Sequence, residues 1–192
     1  MQTDPEVVHV LLIGGRTGVG KSTVGWEVSR RLQEAGFAHC YVEGDTLDQI
    51  FPAPPGDPLR EQISEANLRA LWANYAALGQ RFLVYTNSAA VISADWMTRA
   101  VGGDVRFTGI LLTAADAVAE QRLAAREIGS GLAWHAERGR RFARWIEAQA
   151  GDWVHRVPTD DRSVREIAAE IIALAGWLAN PKREQAETRR PG

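Results

Sequence analysis

Residues Gly15-Arg16-Thr17-Gly18-Val19-Gly20-Lys21-Ser22 fit the pattern G-x-x-x-x-G-K-[ST], and they stand between an apolar run and a helical stretch. That placement constrains the fold more than any other feature of the chain. Val7-Val8-His9-Val10-Leu11-Leu12-Ile13 reads as a strand buried on both faces, and Thr23 to Ala35 reads as a helix. Strand, glycine-rich turn and helix start together make a phosphate-binding loop. Its backbone N–H groups close around phosphate oxygens, and the helix N-terminus adds partial positive charge. In this reading Gly15, Thr17, Gly18, Val19, Gly20 and Thr23 belong to the cradle. Lys21 neutralises the β- and γ-phosphates, and the Ser22 hydroxyl ligates Mg²⁺. A glycine-rich turn with no ligand is the plainer alternative; residue types, spacing and strand–helix context together favour phosphate.

Strands and helices alternate along the rest of the chain. Further strands are expected at His39–Glu43, Arg81–Tyr85, Val105–Leu112 and Trp153–Val157. Helices are expected over about Leu59–Leu78, Ala94–Val101, Ala114–Glu127, Ala136–Ala148 and Arg162–Leu178. Pro52, Pro54, Pro55 and Pro58 exclude regular structure between the second strand and the next helix. The pattern predicts an α/β fold, a parallel sheet covered by helices on both faces. Ligands in such folds sit beyond the C-terminal ends of the strands, so functional residues are sought there. Residues 1–179 are read as one domain and 180–192, polar and free of aromatics, as a disordered tail.

The net charge of -2 gives no basic field for nucleic acid, and no apolar run reaches membrane-spanning length. The opening Met-Gln-Thr-Asp-Pro-Glu lacks the basic start of a signal peptide, and a cytoplasmic location is the expectation. Cys40 is the only cysteine, which excludes an internal disulfide and a cysteine-based zinc site. Lys21 and Lys182 are the only lysines, so no other lysine of the expected domain can stand in for Lys21.

Gly15 to Ser22, followed by Thr23-Val24-Gly25 and an apolar helix, resembles the shikimate, gluconate and adenylylsulfate kinases. Glu43-Gly44-Asp45 is similar to the acidic-Gly-Asp stretch that follows strand two in several of them. Arg122-Leu123-Ala124-Ala125-Arg126 resembles the arginine-bearing lid entry of nucleoside monophosphate kinase-like proteins. Val157-Pro158-Thr159-Asp160-Asp161 is similar to their final strand and base-side loop. The resemblance spans about Val7 to Leu178, and the phosphate-binding loop is its one highly specific motif. It implies a three-layer P-loop fold with strand order 2-3-1-4-5 and a helical lid over about residues 122–144. It further implies phosphoryl transfer from ATP with Mg²⁺, an acceptor region over about residues 46–80, and adenine flanked by Pro158, Thr159 and Asp160.

Phosphoryl transfer needs an acceptor hydroxyl aligned with the γ-phosphate and charge that follows the migrating group. Asp45, at the end of strand two, is placed either to accept the hydroxyl proton or to hold Mg²⁺ through water; a helix-capping aspartate is the alternative. Asp48 is a weaker candidate. Strand three ends in Thr86-Asn87-Ser88 rather than an aspartate, so Thr86 and Asn87 either bond substrate or cap a turn. Arg126, and Arg122 one turn earlier, are expected to stabilise the transferring phosphate as a lid closes. Arg138, Arg140, Arg141 and Arg144 are assigned to the surface, with room for one to close over phosphate.

His135 is a candidate substrate contact, whereas His9, His39 and His155 are read as structural. Leu68, Leu71, Trp72 and Tyr75 recur at helical spacing and are read as core, as are Trp26, Trp153 and Trp177. Trp72 and Trp134 are alternatively candidates for an aromatic acceptor pocket. Arg16 points either to substrate or to solvent. The resulting expectation is an ATP-dependent kinase acting on the hydroxyl of a small molecule, with a nucleotide-driven switch as the alternative. A nucleic-acid end kinase is disfavoured by the acidic charge.

Overall fold

The computed structural model describes residues 7–125 and 132–178, the side chains of 132–136 excepted. The order of elements is β1 (Val7–Gly14), α1 (Lys21–Glu34), β2 (Cys40–Glu43), α2 (Glu61–Ala77), β3 (Phe82–Thr86), α3 (Ala94–Val101), β4 (Asp104–Thr113), α4 (Asp116–Ala124), α5 (Leu132–Gln149), β5 (Val154–Pro158) and α6 (Val164–Ala175). Single 3₁₀ turns cover Gly44–Thr46 and Ala90–Ile92. The five strands form one parallel sheet in the order β2-β3-β1-β4-β5. This is the order the resemblance implies.

The register explains why the strand ends make a site. Thr86 of β3 pairs with both Ile13 of β1 and Glu43 of β2, so three strands finish at one level. The loops that follow them therefore meet at the C-terminal edge of the sheet.

Alternation along β1 divides the core. Leu11 and Ile13 face α1 and α6, where Val28, Leu32, Ile167 and Ile171 are buried against them. Val8, Val10 and Leu12 face the opposite way, with Leu68, Trp72, Met97 and Ala100. Each such Leu, Ile or Val contributes about 1.5–3 kcal/mol through burial, which is why both faces of the sheet need helices. A third, smaller cluster places Ile146 of α5 against Leu111 and Val154. Among the described residues, no helix is long and apolar enough to cross a membrane.

Element boundaries move by one or two residues at most ends. Arg60, with a left-handed φ of 59°, delays the start of α2 to Glu61, while α5 begins four residues earlier than expected, at Leu132, and α6 ends three earlier, at Ala175, before left-handed Gly176. Two tryptophans depart from expectation. Trp26 is 58% exposed, lying on the outer side of α1 against Tyr41, and Trp153 is 43% exposed beside the edge strand β5. A large ring at helical spacing, or beside a strand, is buried only when a neighbouring element covers it. Trp177 is buried as expected, in a cluster with Phe37 and Phe82. His9 stacks on Phe82 and His39 bonds Ser29 and the Phe37 carbonyl, both structural arrangements. His155 lies in β5 with its side chain exposed.

Candidate active site

The loop after β1 has left-handed φ at Gly15, Gly18 and Gly20, conformations that side chains oppose. Gly15 has a second constraint, since a Cβ there would stand 2.6 Å from the Leu112 carbonyl oxygen. A Cβ at Gly18 would collide with the Ala119 carbonyl of α4. Gly20 faces open space. The N-terminus of α1 begins at this opening with no capping side chain and no acidic residue in its first turn. By contrast, α6 begins with a complete capping box between Ser163 and Glu166. The unfilled donors of α1 and the positive end of its dipole thus remain available to an anion. Lys21 lies over the loop, its Nζ donating to the Arg16 carbonyl at 3.2 Å.

Carboxylates from the end of β2 face this cradle. The Ser22 hydroxyl donates to Glu43. Asp45 sits one turn further and accepts a 2.7 Å hydrogen bond from the Asn87 side-chain amide. Asn87 is itself fixed, because its side-chain oxygen accepts from the Ala89 N–H at 2.9 Å. Asn87 thus caps a turn, one of the two roles read for it from sequence, and it also orients Asp45. Partial desolvation pushes the Asp45 carboxyl above its usual value, and the charges of Glu43 and Asp48 add to this; Lys21 and the Asn87 hydrogen bond oppose it. Thr86 is buried and pairs with the Tyr41 hydroxyl, so it serves packing.

On the other side, α4 and α5 frame the loop. Arg16 does not point into solvent. Its side chain is 4% exposed, ion-paired to Asp116 at the start of α4, and seated against Gly139 of α5. Its Nε is buried without a hydrogen-bond partner. Arg138 lines a cavity of about 280 Å³ together with Thr17 of the loop and Ser88 after β3. Arg122 reaches the loop after β5, donating to the Thr159 hydroxyl at 2.9 Å and the Thr159 carbonyl at 3.1 Å. Asp160 accepts from the Ala115 N–H at 2.8 Å, and its other oxygen is buried with no partner among the described residues. Pro158 closes β5 beside them. Arg126 lies outside the described residues, as do the side chains of Trp134 and His135.

The parallel sheet, its strand order and the glycine loop leading into α1 decide the architecture. The fold is that of the P-loop small-molecule kinases. A gluconokinase from Sinorhizobium meliloti is similar at 18% identity, with a TM-score of 0.57 over 95% of this chain and 98% of that one. A tunicamycin resistance protein from Deinococcus radiodurans is similar at 20% identity and a TM-score of 0.56, over 88% and 96% of the two chains. A shikimate kinase from Acinetobacter baumannii, solved with shikimate, follows at 15% identity and 0.53, over 88% and 92%. No family model matches the sequence, and no curated protein matches it.

Within this P-loop kinase fold a second cavity, of about 260 Å³, opens beyond Asn87 toward α2, α3 and α5. Trp96, Phe142 and Trp145 supply its rings. Trp72, the sequence-based candidate for such a pocket, is instead 3% exposed and part of the core beneath α2. Sequence reasoning missed Trp96 and Trp145 because nothing in their spacing tells that α3 and α5 border one cavity beside the end of β3. It also missed Glu43 as a partner of Ser22, although the Glu-Gly-Asp stretch was the available signal.

Proposed function

We propose that the protein is an ATP-dependent phosphotransferase that moves the γ-phosphate of ATP to a hydroxyl of a small molecule. The observation that carries this reading is the position of Asp45, held by Asn87 between the Lys21 side of the phosphate cradle and the cavity beyond β3. Nucleotide phosphates would lie on the loop N–H groups and Lys21, with the base beside Arg122, Thr159 and Asp160. The acceptor would occupy the second cavity.

The transfer is a single displacement. The acceptor oxygen forms a bond to the γ-phosphorus, the bond from that phosphorus to the β–γ bridging oxygen breaks, and ADP departs with the electron pair. The hydroxyl proton passes to the Asp45 carboxylate. Arg138, through its shared cavity with Thr17, is the described arginine best placed to follow the moving charge; Arg126 retains the role that the resemblance implies for it. Ser22, Glu43 and Asp45 present the hard oxygen donors that suit Mg²⁺. Ser22 would ligate the ion directly and the carboxylates would hold its water, and the ion would neutralise phosphate charge.

The test is ADP formation with ATP and Mg²⁺, with and without a protein-free small-molecule extract of the source cells. Lys21→Met serves as the blank and should lower extract-stimulated turnover on the order of a hundredfold or more. Asp45→Asn should keep nucleotide affinity and lose transfer by a factor of about 10²–10⁴. Near-normal transfer by Asp45→Asn would refute its assignment. Tight ATP binding without stimulation by any extract would favour the nucleotide-switch reading.

A further inference from the structure

The cavity beyond Asn87 has an unusual charge for one that would receive the acceptor of a kinase. Among the described residues, its lining includes Asp48 and Glu61 and contains no lysine or arginine. Among the described residues, neither Asp48 nor Glu61 takes part in an ion pair. Arg60, adjacent to Glu61, directs its Nε to the Ile50 carbonyl at 3.3 Å. Arg138 lies across Phe142, in the cavity on the phosphate side.

An anion in this cavity would meet Asp48 and Glu61, with Asp45 close by, and would find no cation among the described lining residues to offset them. An ammonium group would instead find carboxylates for charge-assisted hydrogen bonds and ring faces for cation–π contact. The rings of Trp96, Phe142 and Trp145 suit a flat apolar body. A volume of about 260 Å³ lies just under the range of about 300–1,000 Å³ common for ligand cavities, which favours a compound of one or two rings.

We infer that the acceptor is a small cationic alcohol with an apolar or aromatic body. Its ring lies among Trp96, Phe142 and Trp145, its amine faces Asp48 and Glu61, and its hydroxyl faces Asp45. The fate of the hydroxyl rests on the phosphotransferase reading; the charge and shape of the ligand rest on the cavity.

Three probes share one benzylic alcohol and differ in charge: phenylethanolamine, phenylethylene glycol and mandelate. Binding is read by quenching of tryptophan fluorescence, since Trp96 and Trp145 line the cavity, and transfer is read by ADP formation with ATP and Mg²⁺. Phenylethanolamine should bind on the order of tenfold or more tightly than mandelate, from the reversal of one charge near two carboxylates. The double variant Asp48→Asn with Glu61→Gln should erase that preference, with its circular dichroism and melting temperature establishing that it is folded. Mandelate binding as tightly as the amine overturns the inference, and so does absence of amine binding at millimolar concentration. Amine-selective binding without ADP formation supports the inference and counts against the phosphotransferase reading. ADP formation stimulated by mandelate alone does the reverse.

Discussion

Asn87, at the end of the strand beside β1, donates its side-chain amide to the Asp45 carboxylate across 2.7 Å. Because Asn87 also accepts from the Ala89 N–H, its amide orientation is set and its donor can point only one way. A residue in a turn thereby orients the carboxylate proposed to accept the acceptor's proton and favours its ionised form.

The pH dependence of transfer follows from this pair. The Asp45 carboxyl titrates above its usual value, chiefly through desolvation. It accepts a proton only when ionised, so activity should rise with pH along a limb above the ordinary carboxylate range. Asn87 favours the ionised form, and Asn87→Ala should move that limb to higher pH. A profile of kcat/KM against pH for both proteins checks this; a limb that stays in place removes Asp45 as its source.

The same shift bears on stability. A carboxyl whose pKa is higher in the folded chain favours folding while protonated, and that contribution is lost as pH rises through the folded value. Ionised Asp45 therefore works against folding near neutrality. Asp45→Asn should melt at a higher temperature than the parent at pH 7, with the gain vanishing below the unfolded pKa of aspartate. Melting curves across the acid range measure it, and an unchanged difference at all pH values would contradict the linkage.

Arg138→Ala should lower kcat by a factor on the order of 10²–10³ while nucleotide affinity changes little. Arg141, three residues further along α5 and paired to Glu137, is the control. Equal losses at both positions would mean that α5 acts through its fold rather than through Arg138.

Gly44 should tolerate no side chain. A Cβ there would collide with the Tyr85 hydroxyl and its ring carbon Cζ, and would stand 2.9 Å from Cε2. Gly44→Ala should cost about 1–3 kcal/mol, as overpacking does, and disturb the turn that carries Asp45. Adding Tyr85→Phe should recover little, because the ring carbons remain. Denaturant unfolding of the single and double variants tests this, and full recovery would place the conflict at the hydroxyl alone.

Cys40 is buried, and burial pushes its thiol up to about 11. The thiolate is the reactive form, so a thiol reagent at pH 8 should leave the folded protein unmodified and label it fully in denaturant. Mass spectrometry reads the outcome, and rapid labelling of the native protein would contradict the burial.

The parallel sheet was legible because β1 is a continuous apolar run and each helix carries its own stop signals, whereas its strand order came from the resemblance alone. The cradle was legible because its glycines and Lys21 are consecutive in the chain. What escaped depends on contacts between distant segments. Trp26 and Trp72 share helical surroundings in the sequence, yet one is exposed and the other is core, since only α2 presents its ring to the sheet. Trp96 of α3 and Trp145 of α5 line one cavity although they are far apart in the chain. Arg16 offered two directions in sequence, and it turns from solvent toward Asp116 because α4 begins beside the loop.

The seat of Arg16 against Gly139 has a consequence for descent. A Cβ at position 139 would stand 3.0 Å from the Arg16 guanidinium, which is already enclosed. The two positions are thus expected to change together among related chains: a bulkier residue on α5 should accompany a small residue after the first glycine of the loop, and arginine there should accompany glycine on α5. This pairing, across more than a hundred residues of intervening chain, would mark a lineage where overall identity has faded.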